Sequence, residues 1–129
     1  MEVSDMRKVV CVVVIDEGRI LLVRKGDFWI LPGGKPETGE NDLDCLMREL
    51  GEELSGLEMQ PPFFLGEFIG TAPYKGYTFA AQVYMASGSG EVVPKAEINA
   101  AKWTDQPESY NLSDVLVKVV AYLRQQGYL

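Results

Sequence analysis

The stretch LPGGKPETGENDLDCLMRELGEELSG, Leu31 to Gly56, decides how this chain is read. It puts two adjacent glycines, a proline and a run of glutamates into one loop followed by one helix. Asn41 to about Leu54 is predicted helical, with Asn41 as N-cap and Asp44 three residues on as a variant capping box. Ser55 and Gly56 are expected to end it. At about 100° per residue, Glu49, Glu52 and Glu53 share an arc of roughly 100°. Leu43, Leu46, Met47, Leu50 and Leu54 share a second arc, centred about 120° away. One face is thus read as facing the core, and the other collects carboxylates. Like charges three and four residues apart cost a few tenths of a kcal/mol per pair, and acids late in a helix oppose its dipole. Arg48 is the local cation that can offset them, through Asp44 or Glu52. A solvated acidic face would account for the helix alone. The adjoining Gly33–Gly34 pair points further, because glycine lets backbone approach a ligand closely. A carbonyl there can join the carboxylates around a cation, and Glu37 and Glu40 add more oxygen.

Outward from this stretch, Arg7 to Asp16 reads as a central, β-branched strand. Asp16 to Arg19 is a turn, and Ile20 to Lys25 returns as a hairpin partner. Phe28 to Leu31 is a short strand stopped by Pro32, after which Gly33 and Gly34 turn the chain. Phe63 to Thr71 and Tyr77 to Ala86 read as strands, SGSGE (87–91) as a flexible turn, and Ala100 to Thr104 as a short strand. Leu112 to Gln126 has helical spacing with one apolar side, begun by Asn111 or Ser113. Strands mixed with two helices predict helices packed on the faces of a sheet.

The 129 residues carry 47% hydrophobic and 24% charged residues, an ordinary globular balance long enough for one domain, 1–129, with a real core. No apolar run approaches the roughly 18–20 residues needed to span a bilayer, and the first five residues do not read as a signal peptide. Two distant cysteines make neither a disulfide framework nor a zinc spacing, so a reduced cytoplasmic protein is the default. There is no histidine. Ser-His or Cys-His nucleophilic catalysis and the usual zinc sites are therefore excluded, and any metal must be held by oxygen, which favours Mg²⁺ or Mn²⁺. A net charge of −7 argues against binding polymeric nucleic acid but not against a small phosphorylated ligand bridged by a cation.

Gly34, then Glu40, then RELGEE from Arg48 to Glu53, preceded by WILPGG and Glu37, resembles the Nudix hydrolase signature. The resemblance covers about a fifth of the chain and fixes many positions over more than twenty residues, which sets it apart from a chance match. It departs at Ser55, which stands where the family usually has glycine, with Gly56 one residue late, and at Cys45 and Leu46, where small residues are common. Neither departure removes a carboxylate.

The resemblance implies an α/β fold, an α/β/α sandwich with a mixed β-sheet. It implies an enzyme that cleaves a nucleoside diphosphate linked to another moiety, using divalent cations. Glu49, Glu52 and Glu53 match the family's metal ligands, with the Gly33 carbonyl as a further ligand, and Glu40 matches an acid that braces the loop through Arg48. Glu49 is the first choice of general base and Glu97 the second, with Glu91 and Glu67 as weaker candidates; for Glu97 a surface loop is an equal reading.

Trp29 is read as a stacking or a core residue. Arg24, Lys25 and Lys35 are read as phosphate contacts or solvated edges. Tyr74 and Tyr77 flank a turn that either covers a nucleotide or lies on the surface. Cys45 is read as a packed thiol. A (d)NTP giving NMP and pyrophosphate is the expected substrate, with ADP-ribose or a nucleotide sugar next. Pro73 and Tyr74 lie near positions linked to substrate in some family subgroups. The expected partners are a small nucleotide, with no membrane, in a monomer or homodimer. A non-hydrolysing nucleotide-binding module and a plain acidic structural domain are the readings from other classes.

Overall fold

The computed structural model describes residues 6–72 and 75–129; the readings placed on Met1–Asp5, Pro73 and Tyr74 lie outside them. The elements run β1 (Arg7–Asp16), β2 (Arg19–Lys25), β3 (Phe28–Ile30), β4 (Gly33–Gly34), α1 (Asp42–Glu53), β5 (Leu54–Ser55) and β6 (Glu58–Met59). They continue through β7 (Phe63–Thr71), β8 (Thr78–Ser89), β9 (Val93–Pro94) and β10 (Ala100–Thr104), a 3₁₀ turn at Pro107–Ser109, and α2 (Asp114–Gln126). The main sheet has eight strands, with β10-β2-β1-β8-β6 in order and β3, β4 and β7 paired to β2, β1 and β8. β1 and β8 run parallel at its centre, and the other pairs are antiparallel. β5 and β9 form a separate two-stranded piece.

β1 explains the layering. Its run is apolar on both faces, as in a strand covered on both sides. Val10, Val12 and Val14 pack with Cys45, Leu46 and Leu50 of α1. Cys11 and Val13 face the other way, with Val115, Leu116, Val119, Val120 and Leu123 of α2. One helix therefore covers each face of a mixed sheet, giving the expected α/β/α sandwich. None of the helices among the described residues is long and apolar enough to cross a membrane.

Several local expectations are corrected. Gly33 and Gly34 do more than turn the chain. They pair with Cys11 and Val10 as a short strand, while β2 meets β1 near the hairpin turn, at Ile15–Ile20 and Asp16–Arg19. β1 and β2 thus splay apart, and the glycine pair enters the gap, held by the Val12 N–H donating to the Pro32 carbonyl at 3.1 Å. Ser87–Ser89 extend β8 and are not part of a flexible turn. The Ser55 departure reshapes the end of α1 instead of lengthening it, because Leu54 and Ser55 leave the helix to pair with Pro94 and Val93. The helix start is as expected: the Asn41 side chain accepts from the Asp44 N–H at 2.8 Å. Ser113, not Asn111, caps α2, its side chain accepting from the Leu116 N–H.

Candidate active site

The apolar face of α1 is rotated from the one expected. Leu43 and Met47 are exposed, and the buried residues are Cys45, Leu46, Leu50 and Glu53. The sheet approaches the helix on the side where the acids begin. Cys45 is packed and donates its thiol to the Gly34 carbonyl at 3.7 Å, which ties β4 to α1. Burial pushes the Cys45 thiol up to about 11 and the Cys11 thiol up to about 12, so both stay protonated at neutral pH.

Glu53 is 5% exposed. Its Oε1 accepts from the Gly33 N–H at 3.1 Å. Burial pushes its pKa up to about 7, a rise that the Gly33 N–H opposes and the neighbouring Glu49 increases. Gly34 lies so close to Glu49 that a methyl group on it would overlap that carboxylate. The glycine pair therefore seats two glutamates of α1 against the backbone of the sheet.

Arg48 organises the remaining acids. Its Nε donates to Glu40 Oε2 at 2.7 Å and its Nη2 to Glu40 Oε1 at 3.0 Å, a two-pronged pair of the kind that fixes geometry. Nη1 reaches Glu49 at 2.9 Å and Glu52 at 3.3 Å, Nε lies 3.2 Å from Glu37, and Nη2 also donates to the Lys35 carbonyl at 3.0 Å. The Arg48 side chain thus holds the loop at Glu37, Glu40 and Lys35 against the helix; its ion pairs run to these acids and not, as one reading had it, to Asp44.

The Arg48 bonds, aided by the Glu37 N–H, hold the Glu40 carboxyl at about 2, below its ordinary 4.5. This contribution to stability is present above pH 4.5 and is lost as the pH falls towards 2. Glu40→Gln is therefore expected to be less stable at pH 7 and to lose less between pH 4.5 and 2, checked by urea midpoints against pH. Glu108, held at about 2 by Arg124, titrates alike in both proteins and cancels. Parallel curves would refute the assignment.

A cleft of about 390 Å³ opens at the splay between β1 and β2. Glu49, Glu53, Glu97, Lys25 and Lys35 stand on its wall. Val9 and Cys11 of β1, Phe79 and Ala81 of β8, and Ser113, Val115 and Leu116 at the start of α2 line the rest. Such a size and mix of apolar lining with a few polar groups is ordinary for a small-molecule site.

Of the residues singled out by sequence, Lys25, Gly33, Gly34, Lys35, Glu49, Glu53 and Glu97 meet in this cleft. Glu97 is exposed and lies 3.5 Å from Lys25. Glu52 is exposed and turned towards Arg48. Tyr77 is half-buried beside Arg7 and Lys35. Arg24 and Trp29 are off the cleft. Arg24 is exposed and donates to the Gly26 carbonyl at 3.0 Å, because Lys25, one residue on, takes the side of the strand that faces the acids. Trp29 packs edge-on against Tyr110 with ring centroids 5.0 Å apart, and joins the core on the α2 face. Glu67 and Glu91 do not line the cleft. Sequence reasoning missed Arg7 and Ser113. The alternation Arg7-Val9-Cys11 was the available signal for the first, and the N-cap position for the second.

A hard divalent cation suits these donors. Glu53 is a buried carboxylate with raised pKa and a second carboxylate beside it, a state that a neighbouring cation relieves. Among the described residues, no three acids already stand as a ligand set; Arg48 holds Glu49 and Glu52 instead.

A model of the NUDIX domain matches residues 5–121, and the chain belongs to the Nudix family. It is 30% identical to an uncharacterized Nudix hydrolase of Bacillus subtilis, over 79% of this chain and 67% of that protein. It is 29% identical to a human 8-oxo-dGDP phosphatase, over 95% of this chain but only 42% of the human protein's length. Among solved structures, a MutT Nudix hydrolase from Burkholderia pseudomallei is 28% identical with a TM-score of 0.67, covering 77% of this chain and 82% of that one.

Proposed function

We propose that this chain is a divalent-metal-dependent pyrophosphohydrolase acting on a nucleoside diphosphate linked to another moiety, with a (d)NTP cleaved to NMP and pyrophosphate as the first choice. The observation that carries this reading is the seating of Glu49 and Glu53 against Gly33 and Gly34 at one wall of a cleft whose floor is apolar. Glu49, Glu52, Glu53 and the Gly33 carbonyl would hold Mg²⁺ or Mn²⁺. The bound cation supplies charge neutralisation to the phosphates and lowers the pKa of water. Glu53 fixes the ligand wall, since its carboxylate is oriented by the Gly33 N–H. Glu49 is the first choice to accept the proton of the attacking water, and Glu97, held at the rim by Lys25, the second. Arg48 keeps the loop registered on the helix through Glu40 and the Lys35 carbonyl, and Glu49 and Glu52, which it also pairs, would be the groups exchanged for a cation. The apolar floor takes the base and ribose.

The human relative named as an 8-oxo-dGDP phosphatase supports adding nucleoside diphosphates and oxidised purines to the substrates tested. ADP-ribose and nucleotide sugars are the alternative class. The test is a panel of these compounds with and without Mg²⁺, scored by product identity, on the wild type and Glu52→Gln. Glu52 is exposed, so its replacement leaves folding intact and reads chemistry alone. Cleavage only with metal, falling at least about 100-fold in Glu52→Gln, is the expected result. The same assay on Glu49→Gln and Glu97→Gln decides the base. Nucleotide bound but left intact by the wild type would sink the hydrolase reading in favour of a binding module.

A further inference from the structure

The cleft has a positive end that the chemistry above does not use. Of the 12 cations of this acidic chain, half pair with a carboxylate among the described residues: Lys8 with Asp42, Arg19 with Asp16, Lys25 with Glu97, Arg48 with Glu40, Lys118 with Asp114 and Arg124 with Glu108. Arg7 and Lys35 make no ion pair among the described residues. Both converge instead on Tyr77. The Arg7 guanidinium carbon lies 3.9 Å from the Tyr77 ring centroid, and the Lys35 Nζ lies 5.9 Å from it.

Register places this cluster. β1 and β8 are parallel neighbours, with Arg7 opposite Phe79 and Val9 opposite Ala81. Side chains alternate along a strand, so Arg7 continues the row of Val9 and Cys11, and Tyr77 continues the row of Phe79 and Ala81. Those two rows line the cleft. Arg7 and Tyr77 therefore stand one step beyond its floor. Lys35 lines the cleft itself and directly follows Gly34, which touches Glu49.

The stacking matters chemically. A guanidinium that lies on an aromatic face is held in place, while its N–H fork points outward in the plane. That fork matches two oxygens of a phosphate, and a lysine adds a third donor as a point charge. Two cations without carboxylates beside an acidic wall form a receiver for an oxyanion.

We propose that Arg7, Lys35 and Tyr77 form an anion subsite at the mouth of the cleft that takes the terminal phosphate of the substrate, so that this chain selects phosphate-ended nucleotides over nucleotide sugars. The selection rests on the pyrophosphohydrolase reading; the anion subsite does not.

Two measurements separate them. Inorganic pyrophosphate is titrated into the metal-free chain by calorimetry, for wild type, Arg7→Ala and Lys35→Ala. Binding by the wild type that weakens about tenfold or more in each variant is expected, the loss of one charge-assisted contact. No binding by the wild type, or equal binding by all three, would overturn the subsite whatever the enzyme does. Steady-state kinetics with a nucleoside triphosphate and a nucleotide sugar then test selection. Arg7→Ala is expected to raise KM for the triphosphate about tenfold with kcat within twofold, to leave the sugar's KM unchanged, and to be partly rescued in Arg7→Lys. Equal effects on both substrates would refute the selectivity. Absence of turnover on every substrate would refute the hydrolase reading and the selectivity with it, and leave the calorimetric result standing. Arg7 and Lys35 are exposed, so both variants are expected to fold.

Discussion

Glu53→Gln is expected to make the metal-free protein more stable at pH 8, by on the order of 2 kcal/mol, and to abolish the stabilisation by Mg²⁺ that the proposed ligand role implies. The first half follows from burial. Glu53 titrates at about 7 in the folded chain against an ordinary 4.5. A carboxyl with a raised folded pKa binds its proton more tightly when folded, so its contribution is fully present below about pH 4.5. It is lost as the pH rises through about 7. Metal-free wild type should therefore lose stability across that window, while glutamine, which keeps an oxygen for the Gly33 N–H, should not. The second half follows from the proposed ligand role. A cation bound only by the folded state stabilises it by mass action, and glutamine is a poor ligand for a hard cation. Thermal unfolding at pH 5 and pH 8, with and without Mg²⁺, checks both. A variant that Mg²⁺ still stabilises as much as the wild type would remove Glu53 from the ligand set.

Alanine at three glycines separates fold from chemistry. Gly33 sits at φ +148°, and a methyl group there would overlap the Val10 carbonyl and lie 2.6 Å from the Cys11 Cα. Both are backbone of the central strand and cannot give way. Gly33→Ala is expected to expel β4 from the sheet and cost about 3 kcal/mol or more, a fall in Tm of at least about 6 °C for a chain of this size. At Gly34 the overlapping group is the carboxylate of Glu49, the far end of a flexible side chain. Gly34→Ala is expected to stay folded and displace Glu49, losing hydrolysis with little change in Tm. Gly39 also has a positive φ, +82°, but open space around it. Its alanine variant should cost about 1 kcal/mol and leave activity intact. Equal Tm values for the Gly33 and Gly39 variants would contradict the close approach described here.

The layers were legible because their signals are local. β1, β7 and β10 begin and end where the sequence places them, β1 through its β-branched run and the others through short apolar and aromatic stretches, and both helices announce their caps. Helical spacing made it legible that Glu49 and Glu53 share a side of α1 next to Gly33 and Gly34, and the structure brings these four together; Glu52 turns to Arg48 instead. What failed to show depends on distant partners. β5, β6 and β9 are two residues each and exist only because another segment lies alongside. The face that α1 buries could not be read from hydrophobicity, since Glu53 is drawn inward by the Gly33 N–H while Leu43 and Met47 are left outside. Functional sites break local patterns in this way. The choice between Arg24 and Lys25 turned on a single residue of register, which inverts the face of a strand. The alignment of Arg7 with Tyr77 required knowing that β1 and β8 are parallel neighbours.

The splay between β1 and β2 has a consequence for how such a chain can diversify. The acids are delivered by α1 on one face of the sheet, and the floor is delivered by alternate residues of β1 and β8 on the other. Gly33 and Gly34 stand between the two, lining the cleft with both. Substitutions at Val9, Cys11, Phe79 or Ala81 can recut the floor of the cleft while the acid wall keeps its own scaffold. On the proposed reading, substrate range and bond cleavage would thereby be separately heritable, a division that would let one hydrolytic wall be offered to many different molecules.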